Sequence, residues 1–187
     1  MRSAARGMTD FVCPTGHPSL DFCNTGVGGR ERLAEPADLA RWMVSARLTV
    51  SRPAVTDVDL AAAIRVRGEL RQALLARDPR GVARAVAGWL DGTAGRLMVD
   101  QATLEWQFIP TGTSVCCLMV PVALDAIGIA RDAMDRVRVC AGDRCDLLYL
   151  DTSRNRSRRW CSMERCGARA KASAYYQRHR GEHELGA

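Results

Sequence analysis

The chain has almost no lysine: Lys171 stands alone beside 26 arginines. It has three histidines, few aromatic residues (5%) and no run of eighteen or more apolar residues. The missing apolar run argues against a transmembrane helix. The start, MRSAARGMTDFVCPTGH, is basic but holds no continuous apolar segment. No signal peptide is read there, and the expected location is cytoplasmic. In that compartment eight cysteines are not expected to form a disulfide framework, and metal ligands and buried thiols suit them better. The arginine skew has two readings: guanidinium forks recognise phosphate, but GC-rich coding gives the same skew and is the preferred account. The Gly-rich stretch Gly26 to Gly29 lacks both a following Lys-Ser/Thr and a preceding strand, so it is not a phosphate loop. No His/Asp/Ser constellation, open metal site or cofactor loop is visible, so no enzyme is expected. An enzyme using a pocket in the N-terminal domain remains only as a third class.

The hydrophobic fraction of 47% is enough for a core, and 187 residues suit one domain with a small appendix. Net charge is +6, and it is localised. Residues 1–153 hold 18 basic and 18 acidic side chains, whereas residues 154–187 hold 9 and 3. A basic terminal segment points to a polyanion, with nucleic acid the commonest intracellular one. The competing account is a solvated face that serves solubility.

Periodicity predicts a mainly α fold with one β-hairpin. EPADLARWMVSARL repeats Leu39, Trp42, Met43 and Ala46 behind Pro36, a good first-turn residue. Thr56 and Asp59 resemble a capping box ahead of a long amphipathic helix, in which Gly68 is a weak point. Pro79 starts a further helix through Trp89. Residues 103–120 alternate at Leu104, Trp106 and Phe108, turn at PTGT, and continue as an apolar run. They read as a hairpin, with Cys116 and Cys117 as buried strand thiols. After Pro121 helical spacing returns.

Four late cysteines carry the strongest signal. Cys140, Cys145, Cys161 and Cys166 follow C-x4-C, fifteen residues, C-x4-C. Two pairs of equal spacing can present four thiolates tetrahedrally to one ion. Thiolate softness favours structural Zn2+ over an iron–sulfur site or paired disulfides, and four protein ligands leave no position for water. The intervening DLLYLDTSRNRSRRW reads as a hairpin between the ligand pairs, and the last pair opens a helix. That is a treble-clef-like finger, too small to fold without its metal. Cys13 and Cys23 have no paired spacing, and His17 reads as a loop residue. His179 and His183 are discounted as ligands because Gly181 should interrupt the helix.

If Cys166 faces the metal, about 100° per residue puts Ala170, Ser173 and Gln177 near the metal side. Arg165, Arg169 and Arg180 then form a stripe with Tyr176, and Lys171 and Arg178 share another side. Arg154, Arg156, Arg158 and Arg159 widen the positive surface. Arginine can bridge phosphates or read guanine edges.

The residues Cys140, Cys145, DTSRN (Asp151 to Asn155), RRWCSM (Arg158 to Met163) and Cys166-Gly167-x-Arg169-Ala170-Lys171 resemble the CGNR zinc finger. Upstream, LDFCNT (Leu20 to Thr25) looks like the start of the ABATE domain, which usually precedes that finger. The resemblance covers nearly the whole chain. It implies a bacterial stress-induced transcription regulator with an ABATE-like domain at 1–136, a finger at 137–181 and a tail at 182–187. It implies zinc on the four cysteines and DNA contact by Arg169 and its helix. The nucleic-acid-binding set is then Arg154, Arg158, Arg159, Arg165, Arg169, Lys171, Arg178 and Arg180. The signature Asn is Ala168 here, which puts sequence-specific base reading in question. Asp21 and Asn24 are either buried groups that hold a loop or the lining of an effector pocket. The leading function is a DNA-binding regulator, with a small-molecule effector, contact with the transcription machinery and a homodimer as accompanying expectations, and no membrane. The rival is a ligand-binding or protein-docking module in which the finger is only a staple.

Overall fold

The computed structural model describes residues 11, 14–91, 93–99, 101–103, 106–143 and 145–184, without the side chains of 106, 107 and 178–184. Helix α1 (Pro18–Cys23) leads into a short antiparallel pair, β1 (Gly26–Val27) and β2 (Arg30–Glu31). The two-residue tip is Gly28-Gly29, at φ 65° and 70°. Positive φ at both tip residues is what the tightest hairpin turn demands, and glycine meets it without a steric penalty.

Three of the following helices have legible starts. Helix α2 (Pro36–Ser45) opens on Pro36, with Glu35 and Asp38 closing a reciprocal capping box. In α3 (Asp57–Ala76) the Asp59 N–H donates to Thr56 Oγ1 at 3.2 Å, and the Thr56 N–H donates back to Asp59 Oδ2 at 2.9 Å. Gly68 does not break α3. Helix α4 (Pro79–Leu90) again starts on proline. It packs against both α3 and α5 (Val115–Asp132), while α1 lies against α3 and α5. Phe22 of α1 is the centre of the aromatic core, with ring centroids 5.0 Å from Trp42 and 5.6 Å from Trp89.

A hairpin is present, but displaced from the one expected at 103–120. Strand β3 (Gly95–Val99) pairs with β4 (Trp106–Pro110), from Gly95 opposite Pro110 to Val99 opposite Trp106. The PTGT segment leads into α5 instead of back into a strand. Ser114 caps α5 by accepting the Cys117 N–H at 3.3 Å, and Pro121 lies inside the helix. A short apolar run does not distinguish a strand from a buried helix, and this helix is buried along Val115, Met119, Val122, Ala123, Ala126 and Ile129. Cys116 is therefore an exposed helical thiol and Cys117 a half-buried one, not strand thiols of the core. Cys23 is buried, Leu104 and Cys13 fall outside the described residues.

The C-terminal unit begins with a single 3-10 turn (Met134–Arg136) and β5 (Val137–Val139). β5 pairs antiparallel with β6 (Leu148–Leu150). The strand between the cysteine pairs thus joins the segment before the first cysteine. It does not pair with the return through Arg158, which makes a few specific bonds instead. A π-helical turn (Met163–Gly167) runs into α6 (Ala168–Glu184). The break expected at Gly181 does not occur, since one glycine costs a helix only about 1 kcal/mol, and residues 182–184 belong to α6. Among the described residues the chain is mainly helical, with three small antiparallel pairs and a four-cysteine terminal unit. No helix among the described residues is long and apolar enough to cross a membrane.

Candidate metal centre and nucleic-acid interface

The ligand atoms of Cys140, Cys145, Cys161 and Cys166 all lie within 4.8 Å of one another. The sulfur of Cys145 is 3.7 Å from that of Cys161 and 3.4 Å from that of Cys166, and Cys161 and Cys166 are 3.8 Å apart. A tetrahedron with metal–sulfur bonds of about 2.3 Å has edges of about 3.8 Å, so the four sulfurs stand close to metal-binding geometry.

Local structure explains the arrangement. Cys140 follows β5, and its N–H donates to Leu147 O at 2.9 Å, which closes the loop to β6. The Cys145 N–H donates to Gly142 O at 3.1 Å. A Cβ on Gly142 would come 2.9 Å from Cys166 Cβ, so only glycine lets the two ligand pairs approach. Amides from Gly142 and Cys161 donate to Cys140 Sγ at 3.4 and 3.3 Å. Burial works to raise the Cys140 pKa, but these N–H groups and the neighbouring Cys145 and Cys161 thiols together outweigh it and leave the thiol below its ordinary value. Burial pushes Cys145 up to about 11 and Cys161 higher still, and neighbouring thiols add to both. Cys145 and Cys161 therefore resist ionisation as bare thiols, and a bound cation would relieve them.

The segment between the pairs is held by Asp151, which is fully buried and accepts from the Ser153 N–H at 2.9 Å, the Ser153 hydroxyl and the Arg158 N–H at 3.1 Å. The Ser153 hydroxyl bond is the largest cause that keeps its carboxyl below the usual range. Tyr149 donates its hydroxyl to Arg158 O, and the Arg158 guanidinium sits 5.0 Å from the Tyr149 ring centroid.

Asn24 is a latch between the two units. Its Nδ2 donates to Leu148 O at 2.9 Å and its Oδ1 accepts the Leu148 N–H at 2.8 Å. Both amide atoms are thus engaged with β6, and Asn24 acts structurally rather than as a pocket wall. Arg71 of α3 adds a bond from Nη2 to Asp146 O at 2.7 Å. Asp21 is buried and accepts the Thr15 N–H at 3.1 Å, and burial raises its carboxyl to about 6. Sequence reasoning missed the partner of this region, Asp125 of α5. It accepts from Ser19 N–H at 3.0 Å and the Ser19 hydroxyl at 2.5 Å, and lies 2.9 Å from His17 Nδ1. That bond raises the His17 pKa against the opposing effect of burial. The carboxylate is central in this trio, so Ser19 donates to Asp125 and not to an imidazole base. Only the sequence distance, 108 residues from His17, hid it.

Of the proposed nucleic-acid contacts, Arg154, Arg159, Arg165, Arg169 and Lys171 are exposed and form no ion pair among the described residues. Arg158 is half-buried and committed: Nε donates to Trp160 O at 2.9 Å and Nη2 to Cys161 O. Its role is to hold the metal-bearing loop. Arg156 pairs with Asp135. Arg178 and Arg180 fall on α6, but their side chains lie outside the described set, as do those of His179 and His183. Tyr176 is exposed (68%) and meets Tyr175 edge-on with centroids 5.9 Å apart. Ala170, Ser173 and Gln177 do line a cavity with Cys166, on the side expected from helical geometry.

Comparison with known families finds two matches. Residues 136–179 match the CGNR zinc finger. Residues 16–137 match ABATE, described as "Putative stress-induced transcription regulator". Comparison with curated proteins finds no significant match. The paired-thiolate knuckle, the LDFCNT latch onto its strand and the two adjoining family matches agree, and the chain belongs to the ABATE family, with a CGNR zinc finger as its second unit.

Proposed function

We propose that this chain is a cytoplasmic bacterial transcription regulator that holds structural Zn2+ on Cys140, Cys145, Cys161 and Cys166 and engages DNA with its last helix. The donor set supports zinc: four soft thiolates, near-tetrahedral sulfur spacing and no vacant position for water. The observation that carries DNA contact is the group Arg165, Arg169 and Lys171. These side chains are exposed on the turn before α6 and its first residues, beside Cys166, and none of them forms an ion pair among the described residues. Arg154 and Arg159 extend the positive face onto the preceding loop. Phosphate contacts dominate affinity in such an interface, and the helix can present its arginines to a groove. The reading assigns no catalysis.

A second reading treats the finger as a staple for a ligand-binding or docking module. The Ala168 substitution and the Asn24–Leu148 bond favour it. A small apolar effector would have room in a cavity of about 390 Å3 lined by Leu90, Leu97, Phe108, Val120 and Leu124.

Selection from a random duplex library with zinc-loaded protein, beside Cys161→Ser, separates the two. A motif recovered by the native chain and lost in Cys161→Ser is expected. Intact zinc and fold with no DNA retention would overturn DNA contact and leave the staple. Metal analysis should give one zinc per chain.

A further inference from the structure

A groove of about 830 Å3 runs between the two units and is lined in part by the metal ligands. Its finger wall carries Arg158, Arg165, Arg169 and Glu164, together with Cys145, Cys161 and Cys166. Its other wall is the β1–β2 hairpin, with Val27, Gly28, Arg30 and Arg32. Charge balance across these walls is uneven. Four thiolates around a divalent ion carry two negative charges, and Glu164 adds a third. Those three offset the three guanidiniums of the finger wall. Arg30 and Arg32 therefore supply the net positive charge of the groove, although they lie in the half of the chain with balanced charge.

The hairpin is built to show them. Alternate residues of a strand face opposite sides. Arg30 and Arg32 face the groove, and the Arg32 N–H extends the ladder by donating to Thr25 O at 3.0 Å. Glu31, between them, faces the other way and is tied to buried Arg67: Nη1 donates to Oε1 at 2.7 Å and Nη2 forms the ion pair. Partial burial works to raise the Glu31 pKa, but the Arg67 bond and charge, together with the Leu33 and Arg32 N–H groups, outweigh it and hold Glu31 below its ordinary value, as the carboxylate. The one acid of the hairpin is thus neutralised from inside. Arg30 and Arg32 are exposed and have no ion pair or side-chain hydrogen bond among the described residues. The Gly28-Gly29 tip carries no side chain that would hold a backbone away.

We propose that the β1–β2 hairpin is a second arm of the nucleic-acid interface, in which Arg30 and Arg32 bind phosphates of the same DNA duplex that Arg165 and Arg169 engage from the finger. This rests on the DNA-binding reading above. It makes the groove a two-sided clamp, with the metal centre as its floor.

The test is fluorescence anisotropy with a labelled random-sequence duplex and the full-length zinc-loaded chain, titrated across about 50 to 200 mM salt. Each neutralised phosphate contributes about 0.9 to the log–log slope. Arg30→Gln/Arg32→Gln should lower the slope by about 1.8, with zinc content and thermal midpoint unchanged, because neither side chain supports the fold. Arg165→Gln/Arg169→Gln should lower it by a similar amount. A native slope in Arg30→Gln/Arg32→Gln, alongside a reduced one in Arg165→Gln/Arg169→Gln, would sink the clamp and leave the finger as the DNA contact. No salt-dependent binding by the native chain would overturn both.

Discussion

Asn24 does with one side chain what a neighbouring strand does with its backbone: it gives Leu148 both a donor and an acceptor. Leu148 is fully buried, so neither of its backbone groups can turn to water. Asn24→Ala should destabilise the chain by about 2–4 kcal/mol, read by denaturant unfolding, because it strands both groups. Asn24→Asp should be no milder, since a carboxylate would face the Leu148 carbonyl. The neighbouring charges titrate. His17 has a folded pKa above its ordinary 6.5, and Asp21 sits near 6 against an ordinary 3.8. Both bind a proton more tightly when folded, so both add stability as pH falls. The His17 contribution is complete below about 6.5 and is lost as pH rises through its raised folded pKa. The Asp21 contribution grows from about 6 down to about 4 and is absent at neutrality. At constant zinc occupancy, thermal midpoints should therefore rise from neutral pH toward about 5. Asp21→Asn should flatten the lower part of that rise and gain about 1–2 kcal/mol at pH 7. An unchanged pH profile in this variant would refute the assignment.

At the level of elements, the β1–β2 hairpin is fixed by an ion pair that its sequence does not announce. Arg67 is almost wholly buried, with its side chain 9% exposed. Glu31→Gln leaves that guanidinium without its counter-charge and should cost about 3 kcal/mol by chemical denaturation. It should also weaken DNA binding through misplacement of Arg30 and Arg32. The helices were legible where a cap marked their start, as at Pro36, Thr56 and Pro79. The four ligands were legible because thiolate chemistry needs two pairs at spacings a turn can span. What stayed hidden depended on distant partners. Residues 115–120 have the apolar content of a strand, and only burial against α4 makes their helical face plain. The Gly28-Gly29 tip joins strands of two residues each, too short for alternation to show in a sequence. Arg158 looked like a phosphate ligand because sequence cannot show that two carbonyls already hold it.

In the whole molecule, the two units share material. Val137 and Leu148 belong to the main hydrophobic core, while Tyr149, next in sequence, joins Cys140, Cys166 and Trp160 in a second small one. Chelation should accordingly lower a single cooperative unfolding transition, followed by calorimetry, and not remove an independent small one. A residual N-terminal transition at the native midpoint would contradict this coupling. The two family matches overlap at residues 136 and 137, the second of which starts β5. A seam placed there runs through a strand that lends one face to each neighbour. Gene fusion can shuffle modules whose edges are finished surfaces, but a finger taken from this chain would carry away Val137 and Leu148 and leave its former host with an open wound. Cutting the chain at this joint would expose apolar surface on both pieces, so the joint is a seam of the core and not a hinge between finished modules.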